Sequence, residues 1–226
     1  MHRDEVDILA ERYSFAEEMV HSVTHGVGAV LSLAALVALI VSSIAREPIV
    51  LYGCVTYGAT LALMYGISTV YHAVPFKMRR AKRMLQVADQ CAIFALIAGT
   101  YTPLTLVTLR GSGGRALFGV VWLLALLGVA LRTLKAQRFR TGPTVLYVAM
   151  GWLAILAIRP LMQALPPAGL ALLVGGGVAY TGGIGFYAWH RLRYHHAIWH
   201  GFVLLGSILH FLVVLIYVIP AGALAH

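Results

Sequence analysis

The sequence predicts an all-α membrane protein, a bundle of seven transmembrane helices with a cytoplasmic N-terminus and an outer C-terminus. Hydrophobic residues make up 60% of the 226 residues and charged residues only 11%, which is too little polarity for the surface of a soluble domain. The apolar residues fall in long runs separated by short basic stretches, as in polytopic helical proteins. These runs lack sustained alternation of apolar and polar residues, which argues against a β-barrel.

Seven apolar segments are long enough to span a bilayer, since a spanning helix needs about 20 mostly apolar residues. In chain order they cover residues 24–45, 49–71, 86–108, 115–131, 143–162, 168–188 and 197–219. The third segment contains Pro103, and we expect regular helix to kink or end there because proline cannot donate a backbone hydrogen bond. The glycine-rich stretches 175–177 and 182–185 in the sixth segment predict close helix packing.

The seven-helix domain is predicted to cover residues 24–219, with a short segment on either side. Residues 1–23 hold six of the eight acidic residues, which does not fit a cleaved signal peptide. Several apolar residues are interspersed among them, so we expect a short cytoplasmic helix lying on the membrane surface. Residues 220–226 are predicted to form a short outer tail. The sequence shows no internal repeat or second domain.

Basic residues are distributed unequally between the two sets of loops. With seven spans, alternate loops lie on the same side, and 13 of the 17 Lys and Arg residues fall in the set that includes the N-terminus. The positive-inside rule therefore predicts a cytoplasmic N-terminus and an outer C-terminus, as in an inner-membrane protein. Basic loops beside anionic headgroups also account for the net charge of +9, so no nucleic-acid partner is expected.

Rare polar residues of four segments are predicted to lie at one depth, near the cytoplasmic end of the bundle. They are His25 in the first segment, His72 in the second, Asp89 in the third, and His196 and His200 in the seventh. Asp89 is the one acidic residue within a predicted span, and a carboxylate there is costly enough to mark a functional site by default. Scattered polar residues would not be expected to share one depth.

This convergence predicts a zinc site. His196 and His200 share one helix face because they are four residues apart, and Ser68 and His72 have the same spacing. A catalytic zinc site takes three protein ligands and leaves a fourth position for water. His72, His196 and His200 would be the ligands, while Asp89 would hold the water and Ser68 would orient a ligand or that water. Imidazole also suits iron, copper and nickel, so the metal identity stays open.

Each of these residues has an ordinary interpretation as well. Histidines beside a basic loop occur at membrane interfaces, and Ser68 could serve helix packing. Asp89 could pair with a basic residue such as Arg83 without any chemistry. The shared depth of all five positions favours the metal site over these separate explanations.

Three further histidines are assigned outside the ligand set. His210 lies near the middle of the seventh segment, too far along to join the site, and an interhelical hydrogen bond is expected. His21 is expected at headgroup level, where the chain enters the first helix. For His25, three roles stay open: contact with a ligand, proton donation or helix packing.

Four stretches carry a resemblance to a known family. They are EEMVHSVTHGVGA (17–29), YGISTVYHAVPF (65–76), ADQCAIFALIAGTYTP (88–103) and HAIWHGFVLLGSILHF (196–211). Together they resemble the hemolysin III family of bacterial membrane proteins, which is related to the progestin and adiponectin receptors and more distantly to alkaline ceramidases. The resemblance covers about residues 17–219.

The resemblance implies a seven-helix bundle with a zinc ion near the cytoplasmic face. The family's three histidine ligands match His72, His196 and His200, and its serine and aspartate match Ser68 and Asp89. The pair Thr24 and His25 also follows the family pattern. Gln90 departs from it, because relatives often have histidine after the aspartate, and any role for residue 90 is therefore in doubt.

The leading functional hypothesis is a zinc-dependent intramembrane hydrolase acting on a lipid-like amide or ester. The lipid class rests on the depth of the site and on what the resemblance to ceramidases implies. The alternative is a non-catalytic sensor or regulator of membrane state with a structural zinc. A cytolytic pore fits less well, because a pore requires a polar stripe through the membrane and the polar residues gather at one end. Substrate, oligomeric state and physiological process stay open.

Overall fold

The computed structural model describes residues 13–134 and 142–222, and these form a bundle of helices without strands. Seven of the helices are long and apolar enough to cross a membrane, which confirms the predicted fold class. They are α1 (Phe15–Ser43), α2 (Pro48–Ala73), α3 (Arg79–Thr108), α4 (Gly114–Leu134), α5 (Pro143–Ala164), α6 (Pro167–Ala188) and α7 (His195–Ala221).

Helix α1 begins at Phe15 rather than at residue 24, so its first turns belong to the bundle. Ser14 caps this helix: its hydroxyl accepts a hydrogen bond from the Glu17 amide at 3.2 Å, and its own amide donates to Glu17 Oε2 at 2.9 Å. This reciprocal pair is a capping box, which fixes the start of a helix. Of the predicted surface segment, residues 1–12 lie outside the described residues, as do residues 223–226 of the predicted tail.

Three spans contain departures from regular α-helix. In α3 the α-helix ends at Pro103 and continues as a π-helical turn over Leu104–Thr108, which confirms the expected effect of that proline. Helix α5 is interrupted by the 3-10 turn Leu153–Ala157, and α7 contains a π-helical turn over Val214–Val218.

The helices pack in sequence order around the bundle. Each of α1, α2 and α3 packs on the helix that follows it, α6 packs on α7, and α5 contacts both α3 and α4. A contact between α1 and α7 brings the first and the last span together. Glycines allow close approach, as predicted for α6: a Cβ at Gly176 would collide with the His210 ring, and one at Gly183 with Trp199 and Phe202.

The outer faces of the helices are apolar and several polar side chains are buried, the reverse of a soluble protein. Helix α1 exposes a row of valines, at 23, 27, 30, 37 and 41, whereas Glu18, His21 and His25 on the same helix are buried. The buried histidines lie at the end of the bundle where α1, α3 and α7 begin and α2 ends. We call this end the histidine end.

Candidate metal centre

The structure brings the three predicted ligands together at the histidine end. The ring centres of His72 and His196 are 5.1 Å apart, those of His72 and His200 are 5.1 Å apart, and those of His196 and His200 are 4.6 Å apart. His72 comes from the last turn of α2, and the other two lie one turn apart on α7. His72 and His200 are buried and His196 is half-buried.

A fourth histidine joins them, and the sequence had assigned it elsewhere. His21 is fully buried, with its ring centre 5.0 Å from that of His72 and 4.7 Å from that of His196. His21 is therefore not a lipid-facing residue at the entry to the first helix, because α1 starts early enough to bury its side chain in the bundle. We call His21, His72, His196 and His200 the histidine cluster.

Within the cluster, ring nitrogens of His21, His72 and His196 lie within 4.8 Å of one another, close enough for a single metal ion. This group contains His21 where the predicted ligand set has His200. Several of the buried nitrogens have no hydrogen-bond partner among the described residues, including both of His21, Nε2 of His72 and Nδ1 of His196. Buried polar atoms nearly always have a hydrogen-bond partner. A cluster of imidazole nitrogens without such partners is therefore what a site for a bound metal cation would show.

The hydrogen bonds around the cluster select the ring nitrogens that are free to coordinate. His72 Nδ1 lies 3.3 Å from Glu18 Oε1, and an ionised carboxylate only accepts, so Nδ1 carries the hydrogen and Nε2 keeps its lone pair. This is the carboxylate–histidine arrangement that orients metal ligands in proteins.

Thr24 has the same effect on His200. The Thr24 hydroxyl lies 2.9 Å from the carbonyl oxygens of both Val20 and His21, so its hydrogen is already donated to the backbone of α1. The Thr24 oxygen, 3.1 Å from His200 Nδ1, can then accept a hydrogen from that nitrogen, and this tautomer leaves Nε2 with a lone pair.

Glu18 is also half of a buried ion pair that the sequence did not predict. Its Oε2 atom accepts a hydrogen bond from Lys82 Nζ, and the lysine also donates to the Tyr71 carbonyl at 2.8 Å. The Lys82 ammonium lies over the rings of Tyr71 and Phe76, 4.4 and 4.6 Å from their centres. Lys82 is fully buried, so this residue of a predicted basic loop ties α3 to α1 and α2.

Asp89 and Ser68 form a second polar pair at this end. The Ser68 hydroxyl donates a hydrogen bond to the Asp89 carboxylate, joining α2 to α3. Both residues line the same cavity as His72, His196 and His200. The five residues predicted to form the site therefore share one space, while their roles as ligands, base and orienting group stay predictions.

The cavity has a volume of about 220 Å³ and extends from the histidine end toward the middle of the bundle. Its walls come from α1, α2, α3, α5, α6 and α7, and most of the lining side chains are apolar or aromatic. They include Met64, Leu96, Ile97, Tyr147, Ile184 and Val203. An apolar space with a few convergent polar groups is the usual form of a small-molecule site.

The remaining histidines of the spans separate from the cluster in different ways. His25 stacks on His200 with ring centres 3.4 Å apart and lies edge-on to Tyr65, so its position is that of a packing neighbour. His210 Nε2 lies 3.0 Å from the Leu173 carbonyl oxygen of α6, which confirms the expected interhelical hydrogen bond.

Gln90, where the sequence departs from the family pattern, faces α4 and α5. Its side-chain oxygen accepts a hydrogen bond from Arg132 Nε, and its carbonyl accepts one from the Tyr147 hydroxyl at 2.7 Å. Arg132 is buried, although it follows directly on the predicted fourth span, 115–131. Residue 90 therefore connects three helices beside the site.

A capping-box pattern in the sequence could have revealed Glu18 and His21, the two buried residues that the sequence analysis missed. Ser14 and Glu17 have the spacing of a capping box, which predicts a helix start at this point. A helix that starts there carries Glu18, His21 and His25 at intervals of three and four residues, which puts them on one face. The acidic character of the N-terminal segment concealed this pattern.

Comparison with known proteins gives consistent matches along the chain. Residues 13–211 match the protein family described as haemolysin-III related. The chain is 40% identical to Hemolysin-3 of Bacillus cereus over 208 residues, which cover 92% of this chain and 94% of that protein. It is also 40% identical to the Hemolysin-3 homolog of Bacillus subtilis (strain 168) over 216 residues, covering 94% of this chain and 100% of that protein.

A more distant similarity reaches animal proteins. The chain is 26% identical over 159 residues to the human monocyte to macrophage differentiation factor, covering 69% of this chain and 66% of that protein. Together with seven helices of membrane-spanning length and composition, the bacterial matches support a multi-pass membrane protein.

Proposed function

The chain belongs to the haemolysin-III-related family, and we propose that it is a zinc-dependent hydrolase of the bacterial inner membrane. Its substrate is a lipid-like amide or ester. The observation that carries this proposal is the shared cavity, which puts a set of imidazole donors and a carboxylate at the polar end of an otherwise apolar space. A substrate with a polar carbonyl group and an apolar chain would match this cavity, with the carbonyl at the polar end and the chain in the apolar part.

The ligands proposed for the zinc ion are His72, His196 and His200. Glu18 and Thr24 support this assignment, because they bond to Nδ1 of His72 and His200 and leave Nε2 of each ring as the coordinating atom. When bound, zinc supplies Lewis-acid polarisation of a carbonyl and activation of water near neutral pH.

Asp89 is proposed to hold and deprotonate the attacking water. Its carboxylate accepts one hydrogen bond from Ser68, and a carboxylate has lone pairs for further donors. The hydrogen bond from Ser68 fixes the orientation of the carboxylate toward the cavity. A positioned general base of this kind contributes typically 10²- to 10⁴-fold to a rate.

The first experiment is elemental analysis of detergent-purified protein, with His200→Ala and His210→Ala beside the wild type. We expect about one zinc per chain in the wild type, as in a single catalytic site, loss of zinc in His200→Ala and retention in His210→Ala. Absence of metal from carefully handled wild type would refute the zinc site.

The second experiment tests catalysis with a panel of long-chain amides and esters in detergent micelles. The wild type should release fatty acid, chelation should stop the release, and Asp89→Asn should slow it by about 10²-fold or more while zinc content stays unchanged. A full zinc complement without turnover of any substrate in either protein would exclude the hydrolase.

Bound zinc without turnover would support a second candidate, a non-catalytic sensor or regulator with a structural zinc. The observation that favours it is the fourth histidine of the cluster, because structural zinc sites are closed by four protein ligands. Under this alternative, Asp89→Asn should leave function intact.

A further inference from the structure

We propose that His21 is a fourth ligand of the metal ion in this chain, so that four imidazoles from α1, α2 and α7 can enclose it. This inference rests on the metal site of the proposed function and adds a residue that the predicted set of three lacks. It also assigns a role to a fully buried side chain that the proposed hydrolysis leaves unused.

The four rings of the histidine cluster lie at the corners of a tetrahedron. Four points are arranged in this way when all six distances between them are similar. The six distances between ring centres are 5.0 Å (His21–His72), 4.7 Å (His21–His196), 5.6 Å (His21–His200), 5.1 Å (His72–His196), 5.1 Å (His72–His200) and 4.6 Å (His196–His200). With Zn–N bonds of about 2.0–2.1 Å, imidazole ligands of tetrahedral zinc have ring centres roughly 5 Å apart.

His21 has donor atoms available for this role. Its ring is fully buried, and its Nε2 atom has no hydrogen-bond partner among the described residues. Its Nδ1 atom lies 3.5 Å from Glu18 Oε1, the same carboxylate oxygen that lies 3.3 Å from His72 Nδ1. A single acceptor beside both Nδ1 atoms favours the tautomer with hydrogen on Nδ1, which leaves Nε2 of each ring for the metal.

The neighbouring histidine of α1 does not share this geometry. His25 lies one turn further along the helix and is also buried, but its ring stacks face to face on His200 with centres 3.4 Å apart. Two stacked rings cannot both point a nitrogen at an ion between them. Of the two buried histidines of α1, His21 alone belongs to the group whose nitrogens lie within 4.8 Å of one another.

A fourth imidazole changes what the metal can do. Four protein ligands close a tetrahedral site, whereas catalytic sites keep one position for water or substrate. With His21 bound, the water or substrate of the proposed hydrolysis must displace its imidazole before it reaches the ion. The metal should therefore be held more tightly and be less accessible than it would be with three histidines.

The test compares wild type with His21→Asn, using His210→Asn as the control for loss of a buried histidine. Zinc affinity is measured by competition with a chromophoric chelator, and coordination by the visible spectrum of the Co²⁺-substituted protein with and without azide. We expect His21→Asn to raise the zinc Kd by about tenfold to a hundredfold. Its Co²⁺ spectrum should also differ from wild type and respond to azide at concentrations that leave the wild-type spectrum unchanged.

Unchanged affinity, spectrum and azide response in His21→Asn would overturn the fourth ligand while leaving the three-ligand site intact. Absence of bound metal in the wild type would instead refute the proposed function itself. If His21→Asn does not fold, X-ray absorption at the zinc edge of the wild type decides the matter. Four imidazoles per zinc would support the inference and three would overturn it.

Discussion

Two buried polar clusters in this bundle differ in how their hydrogen bonds are satisfied. In the middle of the bundle, Ser207 Oγ lies 2.9 Å from the Tyr65 hydroxyl and 2.8 Å from the Tyr180 hydroxyl. The Ser207 carbonyl accepts a hydrogen bond from the Tyr57 hydroxyl at 3.3 Å. We call these four residues the Ser207 cluster. In the histidine cluster, by contrast, buried nitrogens of His21, His72 and His196 have no hydrogen-bond partner within residues 13–134 and 142–222.

The difference separates a structural network from a binding site. A satisfied polar network joins α2, α6 and α7 and requires nothing further. Unpartnered polar atoms in a low-dielectric interior are costly, so a group of them indicates that a ligand supplies the missing interactions. Removing a residue of the Ser207 cluster should therefore affect stability alone, whereas changes at the histidine cluster should also affect metal binding.

The largest effect is expected from Glu18→Gln, which removes the charge that partners Lys82. A buried ammonium left without its carboxylate costs about 3–5 kcal/mol, and the same change weakens the orientation of His72. Unfolding in detergent micelles measures the stability, and chelator competition measures the zinc affinity.

Glu17→Gln is the matched control for this prediction. Glu17 lies next in the chain, and its carboxylate bonds to the cap residue Ser14. Loss of that interaction should cost about 1 kcal/mol or less and leave zinc affinity unchanged. Equal effects of the two substitutions would contradict the assignment of Glu18 to the histidine cluster.

Glu18 and Lys82 also mark the limit of what the sequence could predict. The spans followed from hydropathy, and the depth of His72, Asp89, His196 and His200 followed from the direction of each helix. Lys82 was interpreted as a residue that sets topology, because a sequence gives the sign of a charge and not the neighbour across the helix interface. Arg132 was misassigned for the same reason, since its partner Gln90 lies on another helix.

His21 was missed for a different reason, a boundary error. An apolar span was assumed to begin where the acidic residues end, which put the residue outside the bundle. In the structure the last two acidic residues of that segment, Glu17 and Glu18, lie in the first turn of α1, and Lys82 stabilises Glu18 inside the bundle. Burial of a charged residue depends on a partner from a distant part of the chain, and hydropathy contains no information about it.

Metal removal should have the next largest effect. At a free zinc concentration about a hundred times the Kd, binding stabilises the folded state by about 2.7 kcal/mol, so chelation should lower the Tm by several degrees. The same shift is expected in Ser207→Ala, because the two clusters contribute independently. A Tm that does not respond to chelator in either protein would mean that no metal links α1, α2 and α7.

Ser207→Ala should cost about 2 kcal/mol, because the buried hydroxyls of Tyr65 and Tyr180 lose their shared partner. Ser32→Ala is the control: that serine is also buried, but its hydroxyl donates to the Ala29 carbonyl of its own helix, at 2.8 Å. Unfolding experiments should rank the two variants in this order, with wild-type zinc affinity in both. Weakened zinc binding in Ser207→Ala would show that the two clusters are coupled.

The smallest effect is expected from Thr24→Val, which keeps the shape of the side chain and removes one hydrogen bond to His200. The Thr24 oxygen lies 3.1 Å from His200 Nδ1, within hydrogen-bond distance. Without it the ring loses both its fixed orientation and the preference for hydrogen on Nδ1. Zinc affinity should fall by about tenfold, the lower end of the range for residues that orient metal ligands.

Thr69→Val is the matched control for that loss, because the Thr69 hydroxyl donates to the Tyr65 carbonyl of its own helix at 2.7 Å. Both substitutions remove a threonine hydroxyl bonded to a helix carbonyl, so any cost to the helix itself cancels between them. A tenfold difference in zinc Kd between the variants would then report the bond to His200 alone. Equal Kd values would mean that the ring is held by its stacking on His25, and that the hydroxyl does not select the coordinating nitrogen.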